Sequence, residues 1–171
     1  MSADTRVAIL AGSDSDLPEL EDAVQFLEEM DIGYDVQVMS AHRTPEKVSS
    51  FARDAEQQGL EVIMAAAGGA AHLAGVVAAH TRLPVIGIPI STDRMGGLDS
   101  LFSTVQMPGG VPVASVGLGS SGGENAAVFA ARILALHDDE LRERLEDYYN
   151  DMVDEVGEKN ERAQEWLSRQ K

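Results

Sequence analysis

The chain has 171 residues, enough for one domain with a sizeable core, and its 44% hydrophobic content belongs to a folded globular protein. Its 29 acidic residues against 13 basic ones give a formal charge of −16, which repels phosphate backbones and argues against a nucleic-acid partner. No apolar run approaches the roughly 20 residues of a membrane span, no basic-plus-apolar leader opens the sequence and no cysteine is present; a cytoplasmic protein is expected, without disulfides, thiolate catalysis or thiolate-bound metal.

Arg6 to Ala11 reads as a short buried strand, followed by the polar turn Gly12-Ser13-Asp14-Ser15-Asp16 and by Leu17, Leu20, Val24 and Leu27 at helical spacing. Asp16 with Glu19 has the pattern of a capping box, with Pro18 in the first turn. Capping alone does not account for a glycine and two serines at the same turn, where a ligand can approach the backbone and hydroxyls can bond phosphate or ribose oxygens.

Tyr34 to Met39 gives a second strand, and Thr44 to Gln58 a second helix with Thr44 as N-cap, Pro45 in the first turn and Gly59 as the C′ residue. Ser40-Ala41-His42-Arg43 falls between them. A turn at a helix N-terminus suits an anion, because unpaired backbone N–H groups and the macrodipole favour negative charge, and Arg43 adds a two-pronged donor. His42 supplies a group of a kind that titrates near neutrality. A solvated loop with an unremarkable histidine is the competing reading of this stretch alone.

Leu60 to Ala66 gives a third strand that runs into Ala67-Gly68-Gly69-Ala70-Ala71-His72-Leu73 and a helix from about Ala71 to His80. The small residues leave room for a flat ligand face, although paired glycines also make ordinary tight turns. Val85 to Pro89 is a fourth strand, Ile90 to Gly97 a loop of a length that suits a lid or an ordinary surface connection, Asp99 to Gln106 a helix, and Val113 to Gly117 a fifth strand. The turn Gly117 to Gly123 precedes an alanine-rich helix, Asn125 to Leu136.

Regular alternation of strand and helix predicts a three-layer α/β fold, a parallel sheet with right-handed crossovers and helices on both faces. In a flavodoxin-like order, 2-1-3-4-5, the turns after strands one, two and three meet at the carboxyl edge of the sheet around the switch point. Ser13, Asp16, Ser40, His42, Arg43 and His72 then line one crevice. From Asp138 onward the sequence becomes a long polar helix with Leu141, Leu145, Tyr148, Met152, Val156, Ala163, Trp166 and Leu167 on a stripe, among twelve acidic and six basic residues. We treat 1–137 as a flavodoxin-like catalytic domain and 138–171 as its C-terminal helical extension, which suits either a subunit contact or docking on its own domain.

The four motifs Gly12-Ser13-Asp14-Ser15-Asp16, Ser40-Ala41-His42-Arg43-Thr44-Pro45, Gly68-Gly69-Ala70-Ala71-His72-Leu73, and Asp99-Ser100-Leu101 leading to Val105-Gln106-Met107-Pro108 occur in that order. With them the chain, from about Val7 to His137, resembles the small-subunit phosphoribosylaminoimidazole carboxylase family of purine biosynthesis, in its N5-carboxyaminoimidazole ribonucleotide mutase branch. The resemblance implies a flavodoxin-like subunit, a homo-octamer, a ribonucleotide substrate supplied by an ATP-dependent N5-carboxyaminoimidazole ribonucleotide synthetase, and no metal or organic cofactor. It also implies that a carboxylate moves from the exocyclic nitrogen to C4 of the aminoimidazole. Matched motif by motif, it makes Ser13 and Asp16 substrate-binding, Ser40 and Arg43 the phosphate ligands, His42 the acid/base, and Gly68, Gly69, His72 and Leu73 the base pocket. Direct carboxylases of the wider family usually carry lysine where this chain has Arg43 and lack the Ala-Ala-His-Leu stretch, so the sequence sides with the mutases. It departs from the family pattern at Ala74, where proline is frequent, and in the glycine-rich Met95-Gly96-Gly97 loop.

The chemistry implied needs a closed pocket, in which carbon dioxide released from the labile N-carboxylate is recaptured by the ring carbon, and one base that protonates the departing nitrogen and then removes the C4 proton. A metal site built on His42 and His72 lacks further ligands at recognisable spacing. A nucleotide- or flavin-binding module of the same fold leaves His42 and His72 without a task, and an isomerase of another phosphosugar would use the same phosphate site. The acidity of the chain fits a salty cytoplasm about as well as it fits an ordinary acidic surface.

Overall fold

Val7, Ile9 and Ala11 point to one side of the first strand and Ala8 and Leu10 to the other, all fully buried, so β1 (Thr5–Ala11) is committed to the middle of a two-sided sheet. The computed structural model describes residues 5–93, 95–119 and 121–170; Arg94 in the loop after the fourth strand and Ser120 in the Gly117–Gly123 turn lie outside them. Around β1 run β2 (Gly33–Val38), β3 (Val62–Gly68), β4 (Val85–Ile90) and β5 (Ala114–Ser115), all parallel, in the order β2-β1-β3-β4-β5. This is the flavodoxin-like order expected from the alternation of elements.

Among the described residues six α-helices accompany the strands: α1 (Glu21–Glu29), α2 (Pro45–Asp54), α3 (Leu73–Ala78), α4 (Leu98–Val105), α5 (Ser121–Leu134) and α6 (Asp139–Ser168). Ala8, Leu10, Ile63, Ala65 and Val85 form one core with Val48, Phe51 and Ala52 of α2 and Leu73, Ala74 and Val77 of α3. On that same face α4 comes close enough that a Cβ on Gly87 would meet Thr104 at 2.3 Å. The opposite face takes α1 and α5, and there the helix-interior glycines of α5 have a packing reason. A Cβ on Gly122 would lie 2.7 Å from the Gly117 carbonyl oxygen, and one on Gly123 2.7 Å from that of Glu19. That approach lets α5 begin at Ser121 rather than at Asn125.

Other boundaries shift for equally local reasons. Helix α2 ends at Asp54, a 3-10 turn covers Glu56–Gln58, and Gly59 closes it with φ +88°. Leu60 is buried, but its N–H still bonds the Ala55 carbonyl, so β3 starts at Val62 rather than Leu60. Only Ala114 and Ser115 of the expected fifth strand pair with β4, which makes a short edge.

By compactness the chain forms two units, Met1–Ile133 and Leu134–Lys171. In the second, Asp138 caps α6 by accepting the Leu141 N–H at 3.0 Å. Leu141 and Leu145 are buried, whereas Val153, Val156, Trp166 and Leu167 stand exposed. Ion pairs run along the helix with the acid four residues ahead of the base, Glu155–Lys159, Glu158–Arg162 and Glu165–Arg169, the orientation the macrodipole favours. Among the described residues no helix is long and apolar enough to cross a membrane.

Candidate active site

Strands β1 to β4 all end at the same edge of the sheet, and their following loops enclose a cleft of about 760 Å³. Its size suits a small-molecule ligand. Ser13, Asp16, Ser40, His42, Arg43, Gly68 and Leu73 line it. His72 and Gly69 are not among the residues that line the cleft; His72 is bonded to the lining residue His42, and Gly69 forms the turn after β3. Ser91, Thr92 and Asp93 from the loop after β4 complete the wall. These three sat in the loop read from sequence as a lid or a surface connection, and the strand order is what brings that loop beside the other three.

The first turn differs from its expected form. Ser13, not Asp16, is the N-cap: its side chain accepts the Ser15 N–H, and Asp16 stands at N3 of a 3-10 helix Asp14–Leu20, accepting the Ser13 N–H through Oδ2 at 3.1 Å. The box is therefore Ser13/Asp16 rather than Asp16/Glu19, because the helix begins three residues earlier, in 3-10 form, than the apolar spacing suggests. Asp16 is only 9% exposed, and burial raises its carboxyl above the usual range, against the lowering influence of hydrogen bonds from Ser15 and Ser13.

The second turn is folded on itself. Ser40 Oγ accepts the N–H groups of both His42 (3.3 Å) and Arg43 (3.2 Å), the Ser40 N–H donates to Thr44 Oγ1 (2.9 Å), and Thr44 Oγ1 donates to the Ser40 carbonyl (3.1 Å). Thr44 is the N-cap residue and Pro45 follows in the first turn, but the threonine hydroxyl is spent on Ser40 and caps nothing. Two N–H groups expected to be unpaired for an anion are thus occupied by Ser40. What the turn offers instead is the Arg43 guanidinium, which makes no ion pair among the described residues, together with the hydroxyl proton of Ser40. Arg43 is the one Lys or Arg among the described lining residues, beside the acidic Asp16, Glu19 and Asp93.

The third turn brings His72 to His42. His42 Nε2 and His72 Nδ1 are 2.8 Å apart, with the rings edge to face at 82° and their centroids 4.9 Å apart. One nitrogen donates and the other accepts, so the tautomers of the two rings are linked. Ala74 and the Met95-Gly96-Gly97 segment keep clear of this pair: Ala74 is buried in the α3 core, and Met95, Gly96 and Gly97 all have positive φ in the bend before α4. Among the described residues no group of three His, Asp or Glu side chains is gathered for a metal ion.

With this geometry in hand, sequence comparison decides the family. The AIR carboxylase profile matches residues 6–155. The chain belongs to the AIR carboxylase family. It is 50% identical over 160 residues to the N5-carboxyaminoimidazole ribonucleotide mutase of Thermotoga maritima, covering 94% of this chain and 92% of that one. It is 52% identical over 159 residues to the enzyme of the same name from Mycobacterium tuberculosis H37Rv, covering 93% and 90%. With that of Escherichia coli K12 it shares 50% over 151 residues, covering 88% and 89%. Crystal structures of Treponema denticola PurE and of a PurE2 variant from the same organism superpose with TM-scores of 0.83 and 0.84, each at 30% identity and over 92% of this chain. They cover 98% and 97% of the Treponema chains.

Proposed function

We propose that the chain is a 5-(carboxyamino)imidazole ribonucleotide mutase, converting N5-carboxyaminoimidazole ribonucleotide to 4-carboxy-5-aminoimidazole ribonucleotide in purine biosynthesis. The observation that carries the reading is the His42–His72 pair on a cleft that also holds Arg43 and Asp16, in a chain half identical to proteins bearing that name. In this reading Arg43 and the Ser40 hydroxyl meet the phosphate, while Ser13 and Asp16 take the ribose hydroxyls. Gly68 and Leu73 bound the aminoimidazole directly, and Gly69 and His72 support that wall through the turn after β3 and the bond to His42.

The reaction is two proton movements around one carbon transfer. The N–C bond to the carboxylate breaks, its electron pair returns to the exocyclic nitrogen, and His42 protonates that nitrogen as carbon dioxide leaves. The ring carbon C4 then attacks carbon dioxide to form the C–C bond, and His42 takes the C4 proton, which restores its own starting state. His72, at hydrogen-bond distance from His42, holds the ring orientation and the tautomer. Proximity within the cleft makes recapture faster than escape. No step calls for a metal or an organic cofactor. The labile substrate is supplied by an ATP-dependent synthetase. We assign the protein to the cytoplasm and to a homo-octamer; the exposed apolar side chains Val36, Val38, Leu98, Phe102 and Phe129 support association with further subunits.

The test is direct. Given N5-carboxyaminoimidazole ribonucleotide without ATP or metal, the protein should form the C4-carboxylated isomer, and aminoimidazole ribonucleotide plus bicarbonate should be a much poorer route. Preference for bicarbonate would assign the chain to the direct carboxylases, and no conversion by either route would defeat the proposal.

A further inference from the structure

The pairing of β3 with β4 ends at Gly68, which is aligned with Ile90, so the next peptide must find hydrogen-bond partners outside the sheet. It finds one on α4 and another within its own turn. The Gly69 N–H donates to Ser100 Oγ at 2.8 Å, and the Gly69 carbonyl accepts from the Ala71 N–H at 2.8 Å; Ser103 Oγ lies 3.3 Å from that carbonyl, but its single proton has the Asp99 carbonyl closer, at 2.7 Å. Ser100 is 0% exposed, so this hydroxyl has no solvent to serve. Gly69 itself has φ +66°, a conformation that side chains rarely adopt, and the chain then turns tightly, with the His72 N–H bonded to the Ala70 carbonyl at 2.8 Å. His72 begins α3 and makes no capping bond; its Nδ1 points to His42 Nε2. The shape of the turn at Gly69 therefore sets where the second imidazole of the pair stands.

We infer that Ser100 is a positioning residue for the His42–His72 pair, acting through the Gly69 peptide. The inference deepens the proposed function and rests on it for its kinetic consequence, but the placement it asserts is independent of turnover. Ser103 shares the task more weakly, because its hydroxyl divides between the Gly69 carbonyl at 3.3 Å and the nearer Asp99 carbonyl at 2.7 Å. A structural alternative is that Ser100 only satisfies a sheltered peptide N–H. Helix α4 contains its own control for that: Thr104, also buried, donates to the Ser100 carbonyl at 2.8 Å and touches neither Gly69 nor the histidines with its hydroxyl.

The experiment compares Ser100→Ala, Ser103→Ala and Thr104→Val with the parent enzyme, by steady-state turnover of N5-carboxyaminoimidazole ribonucleotide and by NMR of the histidine side chains. There are four histidines, and His80 and His137 serve as internal references. Loosening the geometry of a proton-transfer pair should lower kcat about tenfold in Ser100→Ala while KM stays within about twofold. In that variant the His42 and His72 ring signals should shift and those of His80 and His137 should not. Ser103→Ala should give a change of the same kind and smaller size, and Thr104→Val should leave kcat and both rings as they were. An unchanged kcat, unmoved His42 and His72 signals, or an equal effect from Thr104→Val would overturn the inference. Should Ser100→Ala fail to fold, Ser100→Cys decides, because it keeps the size but replaces the hydroxyl with a weak acceptor: shifted His42 and His72 signals support the placement and unmoved ones overturn it. If the parent enzyme does not turn the substrate over, the proposed function fails, while the ring signals still report on the placement.

Discussion

Arg43 is the one Lys or Arg among the described residues that line the cleft, and it stands among acidic neighbours in a chain of net charge −16. Phosphate recognition in the proposed reaction therefore leans on this guanidinium, because the adjacent N–H groups already serve Ser40. Arg43→Ala should raise KM roughly 10- to 100-fold, the equivalent of one charge-assisted hydrogen bond, with a smaller effect on kcat; initial-rate kinetics check it. Asp16 leads to a prediction with a definite sign. Burial raises its folded-state pKa above the ordinary 3.8, so the native state holds that proton more tightly than the unfolded chain does. Its favourable contribution is complete below about pH 3.8 and is lost as pH rises through the folded value. Asp16→Asn removes this dependence. The melting temperature of the variant, relative to the parent, should climb as pH is raised from below 3.8 into the neutral range; a flat or falling difference would contradict the assignment.

Two glycines within helices separate propensity from packing. Intrinsic preference favours alanine over glycine in any helix interior by about 0.5–1 kcal/mol. At Gly157, in the middle of α6, nothing lies within 4 Å of a built Cβ, and Gly157→Ala should raise stability by about that amount. At Gly123 the same Cβ would sit 2.7 Å from the Glu19 carbonyl, so Gly123→Ala should instead cost about 1–3 kcal/mol and disturb the 3-10 turn that carries Asp16. Chemical denaturation of the two variants should therefore give opposite signs. The contrast also marks what the sequence makes legible. Strand order follows from alternation, because parallel crossovers leave few ways to connect such elements, and the three polar turns point to Ser13, Asp16, Ser40, His42 and Arg43 on one cleft, although His72 stands outside its lining. Where one hydroxyl goes is decided by three-dimensional neighbours. Ser13 caps in place of Asp16, Thr44 bonds Ser40 instead of its own helix, and Ser100 reaches Gly69 across 31 positions. Spacing rules do not carry that information. The loop of Ser91, Thr92 and Asp93 joins the cleft only through the position of β4 next to β3.

Across the whole molecule, charge of one sign is spread over helices that already bear their acids in pairs and runs, α6 above all. Self-repulsion of this kind is screened by salt, so the melting temperature should rise from low to molar sodium chloride, and a salt-insensitive transition would show that the acids are compensated locally. The exposed Phe102 (54%) and Trp166 (63%) belong to surfaces that a lone subunit leaves in water. Light scattering should give a mass near eight subunits in the proposed assembly, and an active monomer would contradict it. The central claim is that His42 carries the proton through both halves of the carbon transfer, and one measurement bears on it most directly: single-turnover conversion of N5-carboxyaminoimidazole ribonucleotide by His42→Asn, which keeps size and polarity but removes the titratable nitrogen. The account predicts substrate binding close to that of the parent and a chemical step slower by about 10²–10⁴-fold. A His42→Asn enzyme that converts bound substrate at close to the parent rate would contradict it.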